Sequence, residues 1–129
     1  MTREIKFRVW DKTTKVMHDW NWTNVTFRLL LFRQNSQFIT LAFTGLKDKT
    51  GKEIYEGDIV EYRYYKGFSG IENIKVGKIE FIDGRFGFFE YYQSTDDYYF
   101  NTEDLSATLI IGNIYENPEL LEIKEAKNE

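Results

Sequence analysis

Apolar and polar positions alternate with a period of two over much of this chain, and that pattern predicts strands. In Glu4-Ile5-Lys6-Phe7-Arg8-Val9-Trp10, the residues Ile5, Phe7 and Val9 fall on one face and Glu4, Lys6, Arg8 and Trp10 on the other. Asp11 to Lys15 reads as a turn, and Val16-Met17-His18-Asp19-Trp20 as a weak return strand. Val25 to Arg33 is two-sided: Leu29-Leu30-Leu31-Phe32 suits a helix, whereas Val25, Thr26 and Phe27 favour a strand. A hairpin turning at Asn35-Ser36 favours the strand, because it pairs Phe32 with Ile39 and Leu30 with Leu41 on a face shared with Phe43.

The pattern breaks at Thr44 to Val60, where three glycines punctuate the chain and two acids, Glu56 and Asp58, flank the third. Asp48-Lys49-Thr50-Gly51 has the composition of a type I turn closed by a glycine with positive φ. Glu56-Gly57-Asp58 reads as a second tight turn. Ile59 to Tyr65 then alternates again, and Lys66 to Gly70 reads as a flexible loop.

Asp83-Gly84 is a two-residue hairpin signal, since a type I′ turn needs positive φ at both positions. Its register pairs Ile82 with Arg85, Phe81 with Phe86, Glu80 with Gly87 and Ile79 with Phe88. Ile74 and Val76 have the opposite parity to Ile79 and Phe81, so placing all four on the core face requires a β-bulge near Gly77-Lys78. Further on, Thr95 to Asp97 is a loop, Tyr98-Tyr99-Phe100 a short strand, and Leu109-Ile110-Ile111 a buried strand ending at Gly112-Asn113. Asn117-Pro118-Glu119 opens a short helix running to about Ala126, with Asn as N-cap and Pro at the first position.

Length and composition fit one small domain with a core of its own. The sequence has 129 residues, 11 Phe, 9 Tyr, 3 Trp, 1 Pro and no Cys. The aromatics favour strands. The absence of cysteine excludes disulfides and thiolate metal sites and suits a cytoplasmic setting. No apolar run is long enough for a transmembrane helix, and the charged N-terminus does not read as a signal peptide. Residues 1–40 hold seven Lys+Arg against three Asp+Glu, or +4; residues 41–129 hold ten against eighteen, or −8. A positive arm on a negative body argues against a large nucleic-acid footprint and permits attraction between subunits.

Catalytic chemistry has little to build on. The one histidine, His18, has no cysteine to pair with and no second histidine for a metal site. No phosphate-binding loop or nucleophile elbow occurs. Glu53, Glu56 and Asp58 form an acidic cluster, but Gly57-Asp58 leading into a strand is more simply a turn. Neither a catalytic residue, a metal site nor a cofactor is expected. The candidate partner-binding residues are Lys6, Arg8, Trp10, Tyr55, Glu56 and Asp58. Trp10 stands on the polar face, where it either meets a partner or marks a strand covered on both sides. Tyr55, a large aromatic held between two turns, is the least explained.

Four blocks together resemble the YopX family of phage and prophage proteins: Arg3 to Asp11, Thr44 to Val60, the Gly77 to Phe86 hairpin, and Ile111 to Leu121. The resemblance implies a mainly all-β fold, with an N-terminal β extension over residues 1–43. It implies a C-terminal SH3-like small barrel over residues 44–129, including the turn-rich segment and a short C-terminal helix. It also implies a phage or prophage origin and a bacterial cytoplasmic setting, but no activity and no catalytic residues. The reading that follows is a non-enzymatic protein-binding or assembly module that forms a homo-oligomer or binds a host or phage protein, with no membrane association. The alternative is a nucleic-acid-associated regulator in which Arg3, Lys6, Arg8, Lys12 and Lys15 contact phosphates and Trp10 stacks.

Overall fold

A computed structural model of the chain describes residues 4–20, 37–65, 72–82, 84–90, 98–100 and 102–121. Among these residues the chain is nearly all β. A first sheet has the order β2-β1-β3-β4, built from β1 (Phe7–Asp11), β2 (Val16–His18), β3 (Phe38–Lys47) and β4 (Glu53–Tyr55). A second has the order β8-β7-β6-β5-β9, from β5 (Asp58–Tyr65), β6 (Glu72–Ile82), β7 (Arg85–Glu90), β8 (Tyr98–Phe100) and β9 (Leu109–Asn113). This second sheet curls into a half-barrel. A 3-10 helix, Thr102–Ala107, precedes β9. Among the described residues, no helix is long and apolar enough to cross a membrane.

The Asp83-Gly84 hairpin has the expected register at all four pairs, and Gly84 takes φ 80°. The expected bulge at Gly77-Lys78 does not form. Both residues pair without a shift on either side, with Val60 and Ile59 of β5 and with Glu90 and Phe89 of β7. The parity conflict is resolved by exposure instead: Ile74 stays on the outer face, 47% exposed. The bulges lie elsewhere. β3 and β4 slip between Phe43 and Lys47, where Gly45 takes φ 87°, and β5 and β9 slip between Ile59 and Val60.

Ile54, Val60, Ile79, Phe88 and Leu105 form a fully buried cluster, with Leu46 and Ile110 packed against it. Each such side chain contributes roughly 1.5–3 kcal/mol by leaving water. Ile54 belongs to β4, so the short strand of the first sheet seals the core of the second. Thr44 Oγ1 holds β4 in place by donating to the Ile54 carbonyl at 2.8 Å, inside the buried layer.

Several expectations need correction. The first strand begins at Phe7 rather than Glu4, so Ile5 lies ahead of it and is exposed, whereas Val9 is fully buried. Leu109 to Ile111 are half-buried rather than buried. Helix begins at residues 119–121, but Asn117 does not cap it by its side chain. Asn117 Oδ1 instead accepts the N–H of Asn113 at 3.2 Å, back at the end of β9. The hairpin at Asn35-Ser36, the loops at 66–70 and 95–97, and the helix beyond residue 121 lie outside the described residues.

Candidate functional site

Five of the six candidate residues converge where the two sheets meet. β1 presents its even-numbered face to this seam. β4 supplies Tyr55, and the Glu56-Gly57 turn carries the chain into Asp58 at the start of β5. Gly57 takes φ 83°, which a side chain would resist. Its N–H donates to the Ile79 carbonyl and its own carbonyl accepts from Ile114, both at 2.8–2.9 Å.

Arg8 and Asp58 form the centre. Arg8 Nη2 donates to Asp58 Oδ1 at 2.6 Å and, more weakly, to the Glu56 carbonyl at 3.3 Å. The other carboxylate oxygen of Asp58 accepts the Tyr55 N–H at 2.8 Å. The Asp58 side chain is only 2% exposed and that of Arg8 14%. Burial pushes the Asp58 carboxyl above its ordinary range, and the charge of Arg8, the Tyr55 N–H and the charge of Lys52 oppose it only in part. Burial of this carboxylate therefore works against its charge even with Arg8 beside it, as is common in buried ion pairs.

Aromatic rings line the pair. The Arg8 guanidinium lies 4.9 Å from the Tyr55 ring centroid, and Tyr55 meets Phe43 at 5.4 Å. Lys6 stands 4.9 Å over the far ring, Phe43, and pairs with Glu53 and with Glu4 at 3.5 Å. Cation, two tilted rings and cation thus form one contiguous row, with each cation–ring contact worth about 0.5–2 kcal/mol. The hydrogen bond to Glu53 raises the Lys6 pKa, against the effect of burial. Burial raises the Tyr55 hydroxyl, and Glu53 adds to it. Glu56 closes the seam by accepting the Ala42 N–H at 2.9 Å, while its own N–H donates to the Ala42 carbonyl.

Trp10, the sixth candidate, is buried. It stacks on Tyr115 at 5.6 Å and 28°, so β1 is covered on its even face as well as around Val9. Tyr115 is a site residue that the periodicity of the sequence did not disclose. Asn113 positions it by accepting the N–H groups of Tyr115 and Glu116 on its side-chain oxygen, at 3.0 and 2.8 Å. The spacing Asn113-x-x-x-Asn117 was the available signal. The turn signature of Asp48 likewise does not disclose its bond from the Ile110 N–H. Among the described residues, no group of three or more His, Asp or Glu is placed to hold a metal ion. Glu53, Glu56 and Asp58 each spend their oxygens on Lys6, the Ala42 N–H, and Arg8 with the Tyr55 N–H respectively.

The molecule is thus a small, mainly β protein whose charged cluster fastens one sheet to the other. A family model described as YopX protein matches residues 24–122, and the chain belongs to the YopX family. Of the four resembling blocks, Arg3 to Asp11 lies outside the matched span. Two solved structures are similar over nearly the whole chain. One is protein EF1440 from Enterococcus faecalis, 28% identical, covering 93% of this chain and 99% of that one with a TM-score of 0.61. The other is protein yopX from Bacillus subtilis, 23% identical, covering 90% and 95% with a TM-score of 0.51; it bears on the fold alone. No curated protein matches the chain.

Proposed function

We propose that this protein is a non-enzymatic protein-binding or assembly module, phage- or prophage-encoded, that self-associates in the cytoplasm of a bacterial host. The observation that carries this reading is the inward commitment of the site. Lys6 is held by Glu53, Arg8 by Asp58, and Glu56 by the Ala42 N–H, while Trp10 is stacked on Tyr115. Groups spent on one another are poorly placed for acid–base chemistry. The same engagement takes Lys6, Arg8 and Trp10 from the nucleic-acid alternative. Large apolar side chains face solvent instead, among them Ile5, Val16, Ile74 and Phe81. The phage setting rests on the family resemblance.

The SH3-like reading of the second sheet belongs to this proposal. Its support is the meander β5-β6-β7-β8, followed by a 3-10 helix and a last strand that returns to pair with β5. The division into residues 1–43 and 44–129 belongs to it also, with the boundary inside β3. Sedimentation equilibrium tests the assembly. Oligomers at micromolar concentration are expected, and a strict monomer at high micromolar concentration overturns that part. Co-purification from host lysate separates a protein partner from bound nucleic acid, and binding that weakens steeply with salt would favour the alternative.

A further inference from the structure

We infer that the β3–β4 turn is one half of a self-complementary docking surface, whose lysines meet the acidic segment after β9 on a second copy of this chain in a two-fold dimer. This contact rests on the self-association proposed above and gives it a surface. Lys47, Lys49 and Lys52 lie within six residues of one another and are all exposed. Among the described residues, no ion pair holds any of the three. The acids beside them are already engaged. Asp48 is buried and accepts the N–H groups of Thr50, Lys52 and Ile110, and Glu53 pairs with Lys6. A cationic turn thus faces outward on a chain whose net charge is −4.

The lysine turn and its acidic counterpart stand at opposite ends of β9. Lys49 donates its backbone N–H to the carbonyl of Thr108, the residue before the strand. Past the other end, Asn113 accepts the N–H groups of Tyr115 and Glu116, and Glu116, Pro118 and Glu119 are exposed. At the rise of a strand, Thr108 and Asn113 are roughly 17 Å apart. Each end is held by a buried polar side chain, Asp48 at one and Asn113 at the other. Little backbone therefore needs to be ordered on contact.

A two-fold axis across the middle of β9 sets the strand antiparallel to its copy and brings each lysine turn to Glu116 and Glu119 of the other chain, so every pair forms twice. Leu109 and Ile111, half-buried, fall between the charged ends. An apolar middle inside a charged rim is the usual anatomy of an interface. Strand addition is closed to this edge at two points, because Asp48 takes the Ile110 N–H and Asn117 takes the Asn113 N–H. Recognition therefore falls to side chains. A phosphate backbone fits the turn less well. The N–H groups of Lys49, Thr50, Gly51 and Lys52 are all used within the chain, which leaves no backbone cradle for an anion.

Sedimentation velocity on the full chain, on Lys49→Glu, on Glu119→Lys and on an equimolar mixture of the two variants tests the contact. Both positions are exposed, so each variant should keep the wild-type circular dichroism. Either variant alone sets like charges against each other twice, and its dimer dissociation constant should rise about tenfold or more. In the mixture, a dimer of one chain of each kind again joins cation to anion at both contacts, and should form with near wild-type affinity. The wild-type dimer should also weaken as salt is added. If the wild type dimerises and the variants do so as tightly, this surface is wrong while self-association stands; a monomeric wild type overturns both. Variants that stay monomeric when mixed, or a wild-type dimer indifferent to salt, overturn the contact as well. So does a duplex DNA that the wild type retards at low salt and Lys49→Glu does not, since the turn would then serve phosphates.

Discussion

Asp48 Oδ2 accepts the backbone N–H of Ile110 at 3.0 Å, tying the β3–β4 turn to β9 across 62 residues. Its other oxygen accepts the Thr50 N–H at 2.9 Å, the Thr50 hydroxyl at 2.7 Å and the Lys52 N–H at 3.0 Å. Lys49 adds a backbone bond to Thr108 at 2.9 Å. The turn thereby covers an edge of β9 that would otherwise offer unpaired groups. Asp48→Ala should cost about 3 kcal/mol in denaturant unfolding, since it removes charge-assisted bonds and orphans the Ile110 N–H.

Acid titration of stability reads the same residue differently. Burial pushes the Asp48 carboxyl up, but the Thr50 hydroxyl and the N–H groups of Ile110, Lys52 and Thr50 outweigh it and bring the pKa down from 3.8 to about 2. Asp11 is lowered to about 2 in the same way: burial is opposed by bonds from Gln37, Thr14 and Thr13. A carboxyl with a depressed folded pKa contributes stability that is complete above its unfolded value and lost as pH falls through its folded one. Stability should therefore decline between about pH 4 and about pH 2. Asp48→Asn should flatten part of that decline and leave the share of Asp11, as chemical denaturation at stepped pH would show.

Gly57 and Gly51 both have positive φ, 83° and 92°, but their surroundings differ. A Cβ on Gly57 would come within 3.0 Å of the Tyr115 ring, whereas one on Gly51 would meet nothing within 4 Å. Gly51→Ala should cost only the left-handed strain, about 1–2 kcal/mol. Gly57→Ala should cost measurably more and disturb the Trp10–Tyr115 stack. Thermal unfolding of the two variants side by side checks the ranking, and equal losses would show that Tyr115 yields freely.

Much of the fold was legible because its signals are local. The Asp83-Gly84 register followed from one dipeptide and the parity of its flanks, and the turn glycines from the φ they must adopt. The false bulge at Gly77-Lys78 came from requiring every apolar residue of β6 to face the core. The strand tolerates an exposed Ile74 more cheaply than a broken ladder. The site was half legible. Arg8, Tyr55, Glu56 and Asp58 could be named, but Arg8 and Asp58 are 50 residues apart, and period-two patterning says nothing of which face meets which. The two readings of Trp10, a partner contact or a strand covered on both sides, could not be separated because Tyr115, which covers it, comes from the far end of the chain. Asp48 was hidden by its own turn chemistry, which explains the residue without its bond to Ile110.

Leu105 and Phe81 separate core from surface. Leu105, from the 3-10 helix, is fully buried against Ile54, Val60, Ile79 and Phe88. Leu105→Ala should cost about 2–5 kcal/mol, set by how far the cluster collapses. Phe81 is 50% exposed and touches Phe86 edge-on at 4.9 Å. Phe81→Ser should cost much less in urea unfolding, and on the assembly reading it should also weaken self-association if that face is used. A Phe81→Ser variant as unstable as Leu105→Ala would place Phe81 in the core after all.

Gly112 and Asn117 offer the sharpest local test. Gly112 lies in β9, where its φ demands nothing special, so its requirement is spatial. A Cβ there would stand 2.6 Å from Asn117 Oδ1 and 2.9 Å from Leu120 Cδ1. Asn117 Oδ1 is the atom that accepts the Asn113 N–H, and the Asn117 N–H donates to the Asn113 carbonyl at 2.8 Å. Gly112→Ala must therefore push Asn117 away and loosen the clasp that leads into the helix at residues 119–121. Overpacking of this kind costs about 1–3 kcal/mol. Asn117→Ala alone should cost about 1 kcal/mol for the lost side-chain bond. In the double variant the clash with Oδ1 is gone, so the two losses should sum to less than the parts, by at least about 0.5 kcal/mol. Strict additivity in that cycle would mean that Leu120, not Asn117, sets the glycine at position 112.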